Sequence, residues 1–108
     1  MAAYVKLFRS IWQDDDFKAL AAEDQRTYLM LISQSDLSHV GVLPLMPTRW
    51  ARLAPDTDAD SVRASLARLA VDNFVLLDEA TEELLVRSYL VHDEAFKLTN
   101  GKKSLEAA

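Results

Sequence analysis

Residues 58–89 read DADSVRASLARLAVDNFVLLDEATEELLVRSY, and the two halves of this stretch obey different periods. In the first half Val62, Leu66 and Leu69 recur at helical spacing, which puts them on one apolar stripe. Asp58 or Asp60 is placed to cap the start of that helix. The spacing predicts a helix to about Asp72, with Asn73 closing it. In the second half FVLL (residues 74–77) and LLVRSY (residues 84–89) are rich in β-forming side chains. The connector between them, Asp78-Glu79-Ala80-Thr81-Glu82-Glu83, is polar, so the pair reads as a hairpin.

Working outward from this stretch, residues 22–35 form the strongest helix upstream. Tyr28, Leu31, Ile32 and Ser35 share one face, and Leu29 and Met30 widen it. Glu23 and Asp24 fill its first turn, at the positive end of the helix dipole. Thr48 is a suitable N-cap for a helix over residues 49–53, which Ala54-Pro55 ends, because the residue before a proline avoids helical geometry. Residues 36–41 form a loop, and Val42-Leu43-Pro44 allows a single extended pairing at a sheet edge. Residues 4–9 alternate as a short edge strand or extended arm would. Residues 14–20 read as a short helix with three aspartates at its start.

The fold class expected from this order is mainly α with a small β-hairpin, a winged helix-turn-helix. Its core is expected to hold Tyr28, Leu31, Ile32, Val62, Leu66, Leu69, Phe74 and Val86. Trp12 and Trp50 are expected to anchor the entry segment and the second helix. The domain is expected to occupy residues 1–92. Residues 93–108 read as a C-terminal tail or the start of a linker to a further region: Asn100-Gly101 is a turn signal, and residues 104–108 look like the first turn of another helix.

At 108 residues and 12.1 kDa the chain is one domain's worth of sequence. The absence of cysteine excludes disulfides, thiol chemistry and cysteine-ligated zinc. No stretch approaches the ~20 apolar residues of a membrane span, and residues 1–12 lack the pattern of a signal peptide, so the expected location is cytoplasmic with no membrane partner. A net charge of -5 is a poor start for binding phosphates, although an acidic domain can be basic on one face.

Few residues suggest chemistry. Asp56, Asp58 and Asp60 resemble the opening of a calcium loop, but Ser61 and Ala67 stand where that loop needs glycine and glutamate. Asp14-Asp15-Asp16 could cluster around a metal, yet it also reads as a solvated helix start. His39 and His92 have no neighbouring partner for a catalytic or metal pair. The two glycines are too far apart for a phosphate loop. The expectation is therefore a non-enzymatic chain with no cofactor and no metal.

The arginines are more informative. Over residues 48–73, Arg49, Arg52, Arg63 and Arg68 balance Asp56, Asp58, Asp60 and Asp72, but the acids gather at the loop and the far end. On the helix over residues 60–72, Ala64, Ala67 and Val71 face away from the apolar stripe, flanked by Arg63 and Arg68. Small side chains let a helix approach a groove, and arginines reach phosphate or guanine. Arg49, Arg52, Arg63, Ala64, Ala67 and Arg68 are thus the candidate DNA-binding residues, with Lys6 and Arg9 as possible helpers on the arm. The same face would suit a protein partner, or be an ordinary surface. The hairpin tip carries four carboxylates and no base, so it is not expected to grip DNA. It reads equally as a solvated turn or as a receiver for a basic partner.

The pattern from about Val5 to His92 resembles the amino-terminal winged-helix domains of bacteriophage replisome-organiser and DnaD-like replication initiation proteins. The resemblance is carried by Trp12 with Asp14, Phe17 and Leu20; by Glu23, Arg26, Leu29 and Leu31; and by Asp36 followed by Gly41. Trp50-Ala51 sits at that family's second helix, and Val62, Leu66, Leu69 and Asn73-Phe74-Val75 at its third helix and wing. It implies a module that helps assemble a replication complex, by binding double-stranded DNA or by association with itself or another replication protein, and it implies no catalysis. The acidic wing is a departure from that pattern.

Overall fold

Asp58 and Ser61 close a reciprocal cap: the Asp58 carboxylate accepts from the Ser61 amide at 2.8 Å, and the Ser61 hydroxyl accepts from the Asp58 amide at 3.1 Å. Two otherwise orphaned amides are satisfied, and the longest helix starts there. A computed structural model describes residues 5–87 and contains, among them, four α-helices and three short strands. In chain order they are α1 (Asp15–Lys18), α2 (Ala22–Ile32), β1 (Val42–Pro44), α3 (Pro47–Ala51), α4 (Ala59–Val71), β2 (Val75–Asp78) and β3 (Glu83–Val86), preceded by a 3-10 helix at Arg9–Gln13. The class is mixed α and β.

The end of α4 follows from Asn73. Its φ of 67° is left-handed, a region asparagine tolerates. The reversal lets the Phe74 amide reach the Leu69 carbonyl at 2.8 Å and the Asn73 amide reach the Ala70 carbonyl at 3.1 Å. Leu69 and Phe74 are both buried, so the hydrophobic contact that accompanies this stop is in place. The chain emerges directed into β2.

The sheet is antiparallel, in the order β1-β3-β2. Val75 pairs with Val86 and Asp78 with Glu83 in the hairpin, while Val42 pairs with Leu85 and Pro44 with Glu83 on the other side. Pro44 occupies an edge strand, where its missing donor costs no ladder bond. Gly41, at φ 94°, brings the chain against β3: its carbonyl accepts from the Val86 amide at 2.8 Å.

The core lies between the helices and one face of the sheet. All eight side chains expected in it are buried, together with Ile11, Phe17, Leu43, Trp50, Val75 and Leu84 among others. Edge-on aromatic contacts run Trp12–Phe17–Tyr28–Phe74, with centroids 5.4, 6.1 and 5.3 Å apart. Trp50 is buried, whereas Trp12 is 53% exposed and anchors only the rim.

Several boundaries differ from the sequence expectation. Of the two readings of residues 4–9, the described residues 5–8 take the exposed arm, and Arg9 opens the 3-10 helix. The helix α1 is shorter than residues 14–20, with Asp14 as its cap, accepting from the Phe17 amide at 2.9 Å. The helix α2 stops at Ile32, where the Ser33 hydroxyl competes for the Leu29 and Met30 carbonyls. Pro47, not Arg49, opens α3, because proline's fixed φ suits a first helical position, and Thr48 lies inside the helix. That helix ends at Ala51, whose carbonyl takes the Thr57 hydroxyl at 2.6 Å, before Ala54-Pro55 is reached. The hairpin gains β1 as a third strand. Tyr4, His92, the rest of the strand expected beyond Arg87, the tail and the turn at Asn100-Gly101 lie outside the described residues.

Candidate functional site

The helices α3 and α4 pack on each other and carry five of the six candidate residues. Arg49 is on α3, and Arg52 follows as its C-cap. With Leu45, Met46, Pro47 and Thr48 they line an open groove of about 480 Å³. The Arg49 guanidinium lies 4.0 Å from the Asp36 carboxylate and 3.5 Å from the Met46 sulfur. On α4, Arg63, Ala64 and Ala67 are exposed as the helical projection requires, and Val71 is 80% exposed at the end of the same stripe.

Arg63 reaches sideways, not outward. Its guanidinium lies 3.8 Å from Glu79 at the hairpin tip, and both side chains are more than half exposed. An exposed pair of this kind contributes about 0–1 kcal/mol, so a phosphate could displace Glu79 at small cost.

Arg68 is different. Its Nε and Nη2 donate to the two oxygens of Asp24 at 2.8 and 2.9 Å, and Glu23 lies 3.6 Å away. Asp24 is 3% exposed. Ser65 donates to the same carboxylate at 2.6 Å, and the Thr27 hydroxyl, which donates to the Glu23 carbonyl, sits 2.9 Å from Ser65. Burial pushes the Asp24 carboxyl up, but hydrogen bonds from Arg68 and Ser65 and the guanidinium charge outweigh it and hold the carboxyl below its ordinary value. The hydrogen bond to Asp24 likewise raises the Arg68 guanidinium. Arg68 is therefore committed to holding α2 against α4. The cations left at low cost are Arg49, Arg52 and Arg63.

This network was missed in the sequence, yet it left a signal. Asp24 lies four residues before Tyr28 and seven before Leu31, on the buried stripe of α2. Ser65 sits between Val62 and Leu66 on that of α4. A carboxylate on an apolar stripe requires a cation facing it.

The hairpin tip is held in place. The Asp78 carboxylate accepts from the amides of Ala80 and Thr81 at 3.1 and 3.3 Å, Glu82 adopts a left-handed φ of 56°, and its carbonyl accepts from the Leu45 amide at 2.8 Å. His39 is exposed in the loop before β1. Among the described residues no cluster of three metal-ligating side chains occurs, and no helix is long and apolar enough to cross a membrane. No family model matches the chain, and neither a curated protein nor a solved structure matches it.

Proposed function

We propose that the chain is a winged-helix module that docks on double-stranded DNA through α3 and α4, in a phage or prophage replication initiation protein acting in the cytoplasm. It is a binding module without catalysis. The fold part of this reading is supported by the order α2–β1–α3–α4–β2–β3 with strand order β1-β3-β2, which sets a helix pair beside a hairpin. The observation that carries the DNA part is the exposure of Arg49, Arg52 and Arg63 on two packed helices, with Ala64 and Ala67 bare between side chains that could meet a groove.

Three cations set the scale. Each phosphate contact contributes about -0.9 to the slope of log affinity against log salt, so full engagement of all three would give a slope of about -3. A titration of fluorescent duplex DNA between low and physiological salt tests this. Arg49→Ala and Arg52→Ala should each flatten the slope by about one contact, and Arg68→Met should not. A protein that binds no duplex at the lowest salt refutes the reading.

A second reading is self-association or docking to a replication protein. It is favoured by Val71, 80% exposed on the same stripe as Ala64 and Ala67, since an apolar ridge of small residues admits another helix closely. Sedimentation at rising concentration separates the two: a dimer lost in Val71→Asp supports association.

A further inference from the structure

We propose that the hairpin tip is an electrostatic mask over α4, in which Glu79 occupies Arg63 and lowers its availability to a phosphate backbone. The inference rests on the DNA reading of α3 and α4 and states how that site is regulated. Two features carry it. One is the pairing of Arg63 with Glu79 at 3.8 Å, between a candidate contact residue and the tip. The other is the way the tip is fixed. Asp78 draws two tip amides onto its carboxylate, Glu82 turns left-handed, and the Leu45 amide ties Glu82 to the chain after β1. Glu79 is thus presented to α4 by hydrogen-bonded backbone, and is not swept past it on a loose loop.

Glu82 and Glu83 follow Glu79 in the same acidic connector, so the tip adds negative charge to the side of the hairpin turn. For Arg63 to bind a phosphate, Glu79 must be displaced, and the released carboxylate then stands near the incoming anion. Both effects lower affinity and remove one cation from the salt dependence. A basic segment of another protein that took up the tip carboxylates would free Arg63 and raise affinity for DNA.

The experiment is a double-mutant cycle in DNA binding, using the full chain as wild type, Glu79→Gln, Arg63→Ala and the double variant, with circular dichroism to show that each is folded. Glu79→Gln should tighten binding about two- to fivefold, the scale of an exposed ion pair, and steepen the salt slope by about 0.9. In the Arg63→Ala background the same substitution should change neither. If the wild type binds and Glu79→Gln alters neither affinity nor slope, the mask is refuted while the DNA reading stands. If Glu79→Gln tightens binding equally with and without Arg63, its effect is general charge and the mask is again refuted. If no variant binds duplex at the lowest salt, the DNA reading fails and the mask fails with it.

Discussion

Asp24 and Arg68 meet across the packing of α2 on α4 through two hydrogen bonds, 2.8 and 2.9 Å long, and only the arginine reaches water. The asymmetry decides what each substitution does. Arg68→Met leaves a buried carboxylate with Ser65 as its remaining side-chain donor, and should cost about 2–4 kcal/mol, below the cost of a fully buried pair because the guanidinium is half exposed. Asp24→Ala frees the guanidinium to turn into water and should cost less, about 1–2 kcal/mol. The double variant should resemble Asp24→Ala alone. Urea unfolding of the four proteins checks this, and a change under about 0.5 kcal/mol for Arg68→Met would show that the pair is incidental.

The same carboxylate sets a pH dependence. Its value in the folded protein is held below the ordinary carboxylate value. The unfolded chain therefore takes up a proton before the folded one does, and the stabilisation is fully present above about pH 4. It is lost as pH falls through the lower, folded value. Asp24→Asn should remove this component of acid destabilisation, leaving a flatter curve of unfolding free energy between about pH 5 and pH 2. A curve parallel to the wild type would mean that other carboxylates carry the acid response.

Gly41 offers a backbone test. At φ 94° a β-carbon would lie 2.9 Å from the Val86 carbonyl oxygen, and that oxygen belongs to a paired strand. Gly41→Ala should therefore lose about 1–3 kcal/mol through the unfavourable conformation and the clash together. In a domain of this size that lowers Tm by roughly 4–8 °C per kcal/mol, and a thermal melt reads it directly.

Asn73 makes the complementary case. Asn73→Gly keeps the left-handed turn and should alter stability by only a few tenths of a kcal/mol, whereas Asn73→Ala should cost about 1–2 kcal/mol. Equal melting of the two variants would show that the turn carries no strain.

What could be read from the sequence was what neighbours in sequence determine. The Asp58 cap, the stop at Asn73, the apolar stripes of α2 and α4 and the hairpin with its acidic tip follow from short spacings. The third strand was only half visible, since residues 42–44 acquire a partner from the far side of two helices. The arginines divided the same way. Their exposure could be projected from helical period, but Arg68 is bonded to a residue 44 positions away, and Arg63 to one beyond the end of its own helix. Periodicity gives the direction of a side chain and does not give the charge it finds there.

The pairing of Val42 with Leu85 has a bearing on how the chain reaches this state. The β2–β3 hairpin closes a short loop, whereas the pairing of β1 with β3 closes the longer segment that holds α3 and α4, so β1 is expected to join last. Closure across such a segment costs more entropy than a hairpin, and contacts of this separation slow folding. The amide of Val86, bonded to Gly41, therefore becomes a reporter of the last step: its protection against hydrogen exchange should rise after that of the Leu66 and Leu69 amides within α4.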